Sequence, residues 1–204
     1  MTASSRSPQK LRQELAHVAA RIIAVDGMND YLAAKKKAAL QLGLPVNRNL
    51  PTNQEVELAL IDYQNLFQQE STTRHLQQRR RIAVSAMKLL QDYSPVLTGA
   101  VLNGTATQQS SVDLHVFTDE PEQIRFLLDE HGIPSQIMAK TLRHGNNETV
   151  DYPVYHFRAE DIPVNLIVMP LKWKHHPPLS PVDGKPMKRA ALEKVKNMLN
   201  ISDD

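Results

Sequence analysis

The 204-residue chain contains no cysteine, which excludes disulfides, thiolate zinc sites and cysteine nucleophiles. Any metal would have to be bound by oxygen or imidazole. No apolar run approaches the ~20 residues that a membrane span needs, and Met1 to Ser7 lacks the apolar core of a secretion signal. The expectation is a cytoplasmic protein with no membrane partner. There is one tryptophan, and Trp173 either stacks on a base or pins a loop to the core. No internal repeat or low-complexity segment is evident.

What is present divides into two halves. Residues 1–92 carry 13 Lys and Arg against 8 Asp and Glu, a net of +5, and residues 93–204 carry 11 against 14, a net of −3. The basic excess of the first half fits a nucleic-acid-facing surface or a solvated helical face. That half reads as helical. Ser7-Pro8 is an N-cap followed by a first-turn proline, and Leu11, Leu15, Val18, Ile22 and Val25 recur at helical spacing until Asp26-Gly27. A second helix follows Asn29 and ends at Gly43. Three consecutive lysines, Lys35 to Lys37, spread around one of its turns, so they form no single stripe. Leu44 to Pro51 is a linker, Thr52 with Glu55 forms a capping box, and Val56, Ala59, Leu60, Tyr63 and Phe67 line a third helix. A fourth, from Ser71 or Thr72, carries Arg74, Arg79, Arg80 and Arg81. These could contact the phosphates of RNA or of a nucleotide, or pair with the acids of a neighbouring helix.

From Tyr93 the period changes to that of strands. Pro95 to Leu102 holds short strands around Gly99, and an apolar strand is expected to stop at Asn103-Gly104-Thr105. In the next strand Asp113 and His115 alternate with Val112, Leu114 and Val116, so the two polar side chains share one face. A Gly-Thr turn lets backbone N–H groups approach an anion, and ligands on the adjoining strand could hold a divalent cation against it. Asp119 with Glu122 reads as the capping pattern of a helix ending at His131-Gly132. Strands are then expected over Gln136 to Leu142, Thr149 to Arg158 and Ile162 to Met169, with Pro153 marking an edge or bulge. In the last of these Asn165 and Ile167 share a face. His175-His176 has no spaced partner ligands, and Leu192, Val195 and Leu199 support a terminal helix.

Gly104, Thr105 and the Asp113-Leu114-His115-Val116 run resemble the signature of the nucleotidyltransferase superfamily, the polymerase-beta-like fold, as found in bacterial nucleotidyltransferase-like proteins. The likeness spans about Pro95 to Met169. It implies an α/β (α+β) architecture, with a helical region over 1–92 and a mixed-sheet nucleotidyltransferase-like domain over 93–204. It also implies nucleotidyl transfer from a nucleoside triphosphate to a hydroxyl of RNA, a protein or a small molecule. Gly104, Thr105, Ser110, Ser111, Lys185, Lys188 and Arg189 would then hold the triphosphate. Asp113 and His115 would bind Mg2+ or Mn2+, with His115 alternatively a general base, and Asn165 stands where the family has a third carboxylate. Only Asp113 is acidic among those three positions. Glu148, Asp151 or Asp161 would have to be recruited for a full metal set, a His-Asp pair suits Mn2+ better than Mg2+, and the alternative is a binding module without chemistry.

Overall fold

The computed structural model describes residues 7–28, 30–46, 50–67, 69–145 and 148–199. Asn29, part of the expected linker (47–49) and part of an expected turn (146–147) lie outside them. The chain divides into two units, the first made of residues 1–72 with 107–109 and 181–183, the second of the remainder. No helix among the described residues is long and apolar enough to cross a membrane.

The first unit contains α1 (Pro8–Asp26), α2 (Tyr31–Gln41) and α3 (Asn53–Phe67). Ser7 Oγ accepts from Lys10 N, and Gly27, in the left-handed region at φ 68°, ends α1. Asp30 caps α2 through the amides of Leu32 and Ala33. The Thr52–Glu55 capping box forms in both directions, with Glu55 N donating to Thr52 Oγ1 and Thr52 N to Glu55 Oε2. Leu15, Ala19, Ile22 and Ile23 pack with Ala34, Ala38, Val56, Ala59 and Leu60. Val25, expected on the apolar side, is 54% exposed. Lys35 is buried against Asn53 Oδ1 at 2.7 Å and Lys37 pairs with Asp26 at 2.8 Å, so the lysine run is split between separate acceptors.

Arg12 of α1 donates to both carboxylate oxygens of Glu55 on α3 at 2.8–2.9 Å. The guanidinium, together with the Thr52 hydrogen bonds, brings the Glu55 carboxyl down from 4.5 to about 2. Such a group stabilises the fold above its unfolded pKa and loses that contribution as pH falls through the folded one. Both side chains are about two-fifths exposed, which screens the pair to about 1 kcal/mol or less. Urea unfolding followed by helical circular dichroism should show Glu55→Gln less stable than wild type near neutral pH, with the gap closing as pH falls from about 4.5 toward 2. A gap independent of pH would assign the loss to the cap rather than to the charge.

The second unit is an α+β arrangement built on a five-stranded mixed sheet. Its elements are α4 (Gln69–Leu89, the unit taking it from Thr73), β1 (Val96–Thr98), α5 (Gly99–Asn103), β2 (Val112–Phe117), α6 (Glu122–Glu130), β3 (Gln136–Arg143), β4 (Thr149–Ala159), β5 (Ile162–Met169) and α7 (Leu192–Asn197). The strand order is β1-β2-β5-β4-β3, with β2 and β5 parallel and the other neighbours antiparallel. One face of the sheet, carrying Leu114, Val116, Tyr155, Phe157, Leu166 and Val168, packs in one core with Ile82 and Met87 of α4, Leu90 just past its end, Val101 of α5, Ile124 and Leu128 of α6 and Val195 of α7. The opposite face carries a smaller cluster of Phe117, Leu142, Tyr152, Val154, Ile167 and Met169 at one end, with Trp173 against it.

Four local expectations change. The apolar residues before Gly104 are helical, not extended: β1 ends at Thr98, Gly99 turns the chain at φ 72°, and Val101 and Leu102 are buried on α5. The start of α6 lacks the expected Asp119–Glu122 cap, because Asp119 Oδ1 instead accepts from Leu171 N, and Pro121 precedes the helix. β4 lies inside the sheet, yet Pro153 stands one residue before β4 begins to pair with β5, so its missing N–H breaks no ladder there. The chain divides near Thr73 rather than at 92/93, because α4 packs on the sheet.

Candidate functional site

Strand register builds the site. Asp113 stands opposite Thr98 on one side and Asn165 on the other, and Asn165 stands opposite His156 of β4. Alternation places Asp113, Asn165 and His156 on the face away from α4 to α7. The Asp113 side chain, 21% exposed, accepts at Oδ1 from Ser111 Oγ and from Asn165 Nδ2, both at 2.8 Å. Its other oxygen, Oδ2, lies 3.5 Å from Lys140 Nζ, which reaches it from the edge strand β3. Asn165 Oδ1 meets His156 Nδ1 at 2.8 Å.

This row has a defined polarity. A carboxylate only accepts, so the Asn165 amide nitrogen faces Asp113 and its oxygen faces His156. His156 Nδ1 therefore carries a proton and donates, which in the neutral ring is the Nδ1–H tautomer. The imidazole in the Asp113 row is thus His156, not the expected His115. Its only signal was its place in an alternating strand.

His115 is placed differently. It is 1% exposed, and its Nδ1 accepts from Arg189 Nε at 3.1 Å. Burial first, then the charges of Arg189, Lys140 and His144, push it down to about 3, so it is neutral at physiological pH. Arg189 also donates to the carbonyls of Trp173 and Lys174 and lies over the Phe117 ring at 5.2 Å. Burial lowers the Arg189 pKa to about 10. Trp173 stacks on His144 at 3.7 Å, and His144 Nε2 and the Tyr152 hydroxyl are 2.7 Å apart. In this structure Trp173 pins a loop.

The remaining expected residues do not all converge on Asp113. Gly104 closes α5 at φ 83°, with nothing within 4 Å of a Cβ added there, and Thr105 is buried, its amide donating to Ala100 O. The glycine set against the carboxylate is Gly99, where an added Cβ would lie 3.5 Å from Asp113 Oδ2. Ser110 is buried and its carbonyl accepts from Arg79 Nε at 2.8 Å, whereas Ser111 reaches Asp113 directly. Lys185 and Lys188 are exposed, and Lys188 O accepts from Thr98 Oγ1. The arginines of α4 separate: Arg79 is 2% exposed, Arg80 has a buried Nε without a partner, and Arg74 and Arg81 line a cleft of about 360 Å³ with Gln77, Gln78, Ile82, Ser85 and Glu160. α4 covers the opposite face of the sheet, so these groups are not part of the Asp113 row.

The donor set does not suit the divalent metal that the resemblance implies. Mg2+ takes several hard oxygen ligands at 2.0–2.1 Å. Here one carboxylate is available, its Oδ1 already accepts two hydrogen bonds, and its Oδ2 faces an ammonium. No group of three or more His, Cys, Asp or Glu placed to hold a metal occurs among the described residues. No protein-family model matches the sequence, and no curated protein matches it.

Two outcomes follow from this geometry. Long-range proton–nitrogen correlation spectra of neutral His156 should show the Nδ1–H tautomer, and Asn165→Ala should release that preference. An Nε2–H signal in the wild type would reverse the hydrogen-bond direction just described. For His115, the unfolded chain takes up a proton near 6.5 that the fold refuses down to about 3. Its contribution is complete above 6.5 and is lost as pH falls through that window. His115→Asn keeps an acceptor for Arg189 but cannot titrate, so its urea midpoint should depend less steeply on pH between about 6.5 and 3. Equal slopes would place the acid sensitivity on another group, such as His144.

Proposed function

We propose that this protein is a nucleotide-binding module of nucleotidyltransferase-like fold, holding a nucleoside triphosphate on the open face of its sheet without metal-dependent transfer. The observation that carries the reading is the state of Asp113, whose two oxygens are taken by a hydroxyl, an amide and an ammonium of the chain itself. Metal-dependent transfer needs ions that bridge the phosphates and stabilise both attacking and leaving oxygens, and one carboxylate so engaged is a poor anchor for them. Support for a nucleotide ligand comes from the resemblance around Asp113, from the close approach of Gly99 to its carboxylate, and from the mixed donors and acceptors of Ser111, Asn165, His156 and Lys140 on one face.

Thermal unfolding with each of the four nucleoside triphosphates tests the binding, since a ligand at one hundred times its dissociation constant stabilises the fold by about 2.7 kcal/mol. At least one should raise the midpoint. Labelled nucleotide, incubated with RNA, protein or small hydroxyl acceptors in Mg2+ or Mn2+, should remain untransferred. Pyrophosphate release that disappears in Asp113→Ala would replace this reading with an active transferase. No shift with any nucleotide would remove the ligand.

A further inference from the structure

We infer that the ammonium of Lys140 is the resident cation of this site, bridging the Asp113 carboxylate and the polyphosphate of a bound nucleotide in place of a divalent metal. The inference rests on the nucleotide-binding reading for its ligand, and on geometry for its cation. Lys140 is on β3, separated from β2 by β5 and β4 in the sheet, yet its Nζ lies 3.5 Å from Asp113 Oδ2. Asp113 Oδ1 is turned toward Ser111 and Asn165, which leaves Oδ2 as the oxygen a cation would use. That oxygen is the one the ammonium faces.

An ammonium carries three donors and no acceptor. The Lys140 side chain is 43% exposed, so its ammonium can meet phosphate oxygens arriving from solvent while staying within ion-pair distance of Asp113. The charge arithmetic agrees. Asp113 alone would repel a triphosphate, and Lys140 cancels that repulsion on the spot. A divalent ion bound at about 2.1 Å from Oδ2 would share its space with a like charge whose nitrogen is 3.5 Å from the same oxygen. Asn165 completes the argument. A neutral amide at this position donates to Asp113 and leaves the carboxylate one unit of negative charge, which one ammonium balances.

The test has two arms. In the first, Mn2+ alone is titrated and followed by electron paramagnetic resonance, with no nucleotide present. Wild type should show no site-bound Mn2+, Lys140→Ala should gain a site at least tenfold tighter, and Lys140→Ala with Asp113→Asn should lose it again. Wild type binding Mn2+ as well as Lys140→Ala overturns the inference. In the second, the thermal shift with nucleoside triphosphate is measured in EDTA. It should persist in wild type, weaken at least tenfold in apparent affinity in Lys140→Ala, and be largely kept in Lys140→Arg. A shift that appears only on adding Mg2+ or Mn2+ overturns the inference while leaving nucleotide binding intact. No shift in any condition removes the nucleotide reading and with it the phosphate half of the inference, and the Mn2+ arm still decides the cation. Lys140 is exposed enough that its loss should leave the far-ultraviolet spectrum unchanged.

Discussion

A carboxylate on a half-buried sheet face must be supplied with donors, and the supply to Asp113 fixes the open side of this sheet. Leaving such a charge unpaired costs several kcal/mol. Asp113 draws a hydroxyl from Ser111, just before its own strand, an amide from β5 and an ammonium from β3. The amide can serve only in one orientation, so its oxygen is turned to β4, where His156 must donate. One anion therefore sets a hydrogen-bond direction across three strands, and it helps hold the parallel register of β2 on β5.

The same strand meets the opposite problem two residues on. His115 shares the face of Asp113 but lies under the segment that carries Trp173 and Arg189. An imidazole sealed from water beside a guanidinium cannot keep a proton, so it stays neutral and serves as an acceptor. The guanidinium donates through Nη1 to two carbonyls of the loop it lies beside and through Nη2 to Met169 Sδ. Asp113 and His115 thus belong to different environments, one solvated and charged, the other dry and neutral. Their spacing of two along a strand placed them on one face, and spacing alone could not tell which part of that face is covered.

Much of the architecture was legible in the sequence. Ser7-Pro8, the Thr52–Glu55 box, the return to alternation after Tyr93 and the stop at Gly132 are local signals, and each has the physical cause the sequence suggested. Val101-Leu102 was not legible as a helix. Two adjacent apolar residues fit either period, and what decides is Gly99 at positive φ together with the pairing of Leu97 to Ala190, a partner 93 positions away. The site was half legible. Asp113 was found by alternation and Asn165 through the resemblance, whereas Lys140 and His156 come from strands whose neighbours are set by topology. The arginines of α4 read as one basic group, yet a helix sends consecutive side chains about 100° apart, and Arg79 went inward to Ser110.

At position 165 an amide fits the neighbours of Asp113 better than an acid would. A second carboxylate within hydrogen-bonding distance of Asp113 would place two like charges about 3 Å apart, an arrangement stable only with a shared proton or a cation between them. An amide of the same shape donates to one neighbour and accepts from the other, which no carboxylate can do when ionised. Asn165 therefore satisfies Asp113, orients His156 and keeps the local negative charge at what a single lysine balances. Asn165, His156 and Lys140 are consistent with one another as a set, and placing an acid at position 165 would disturb all three.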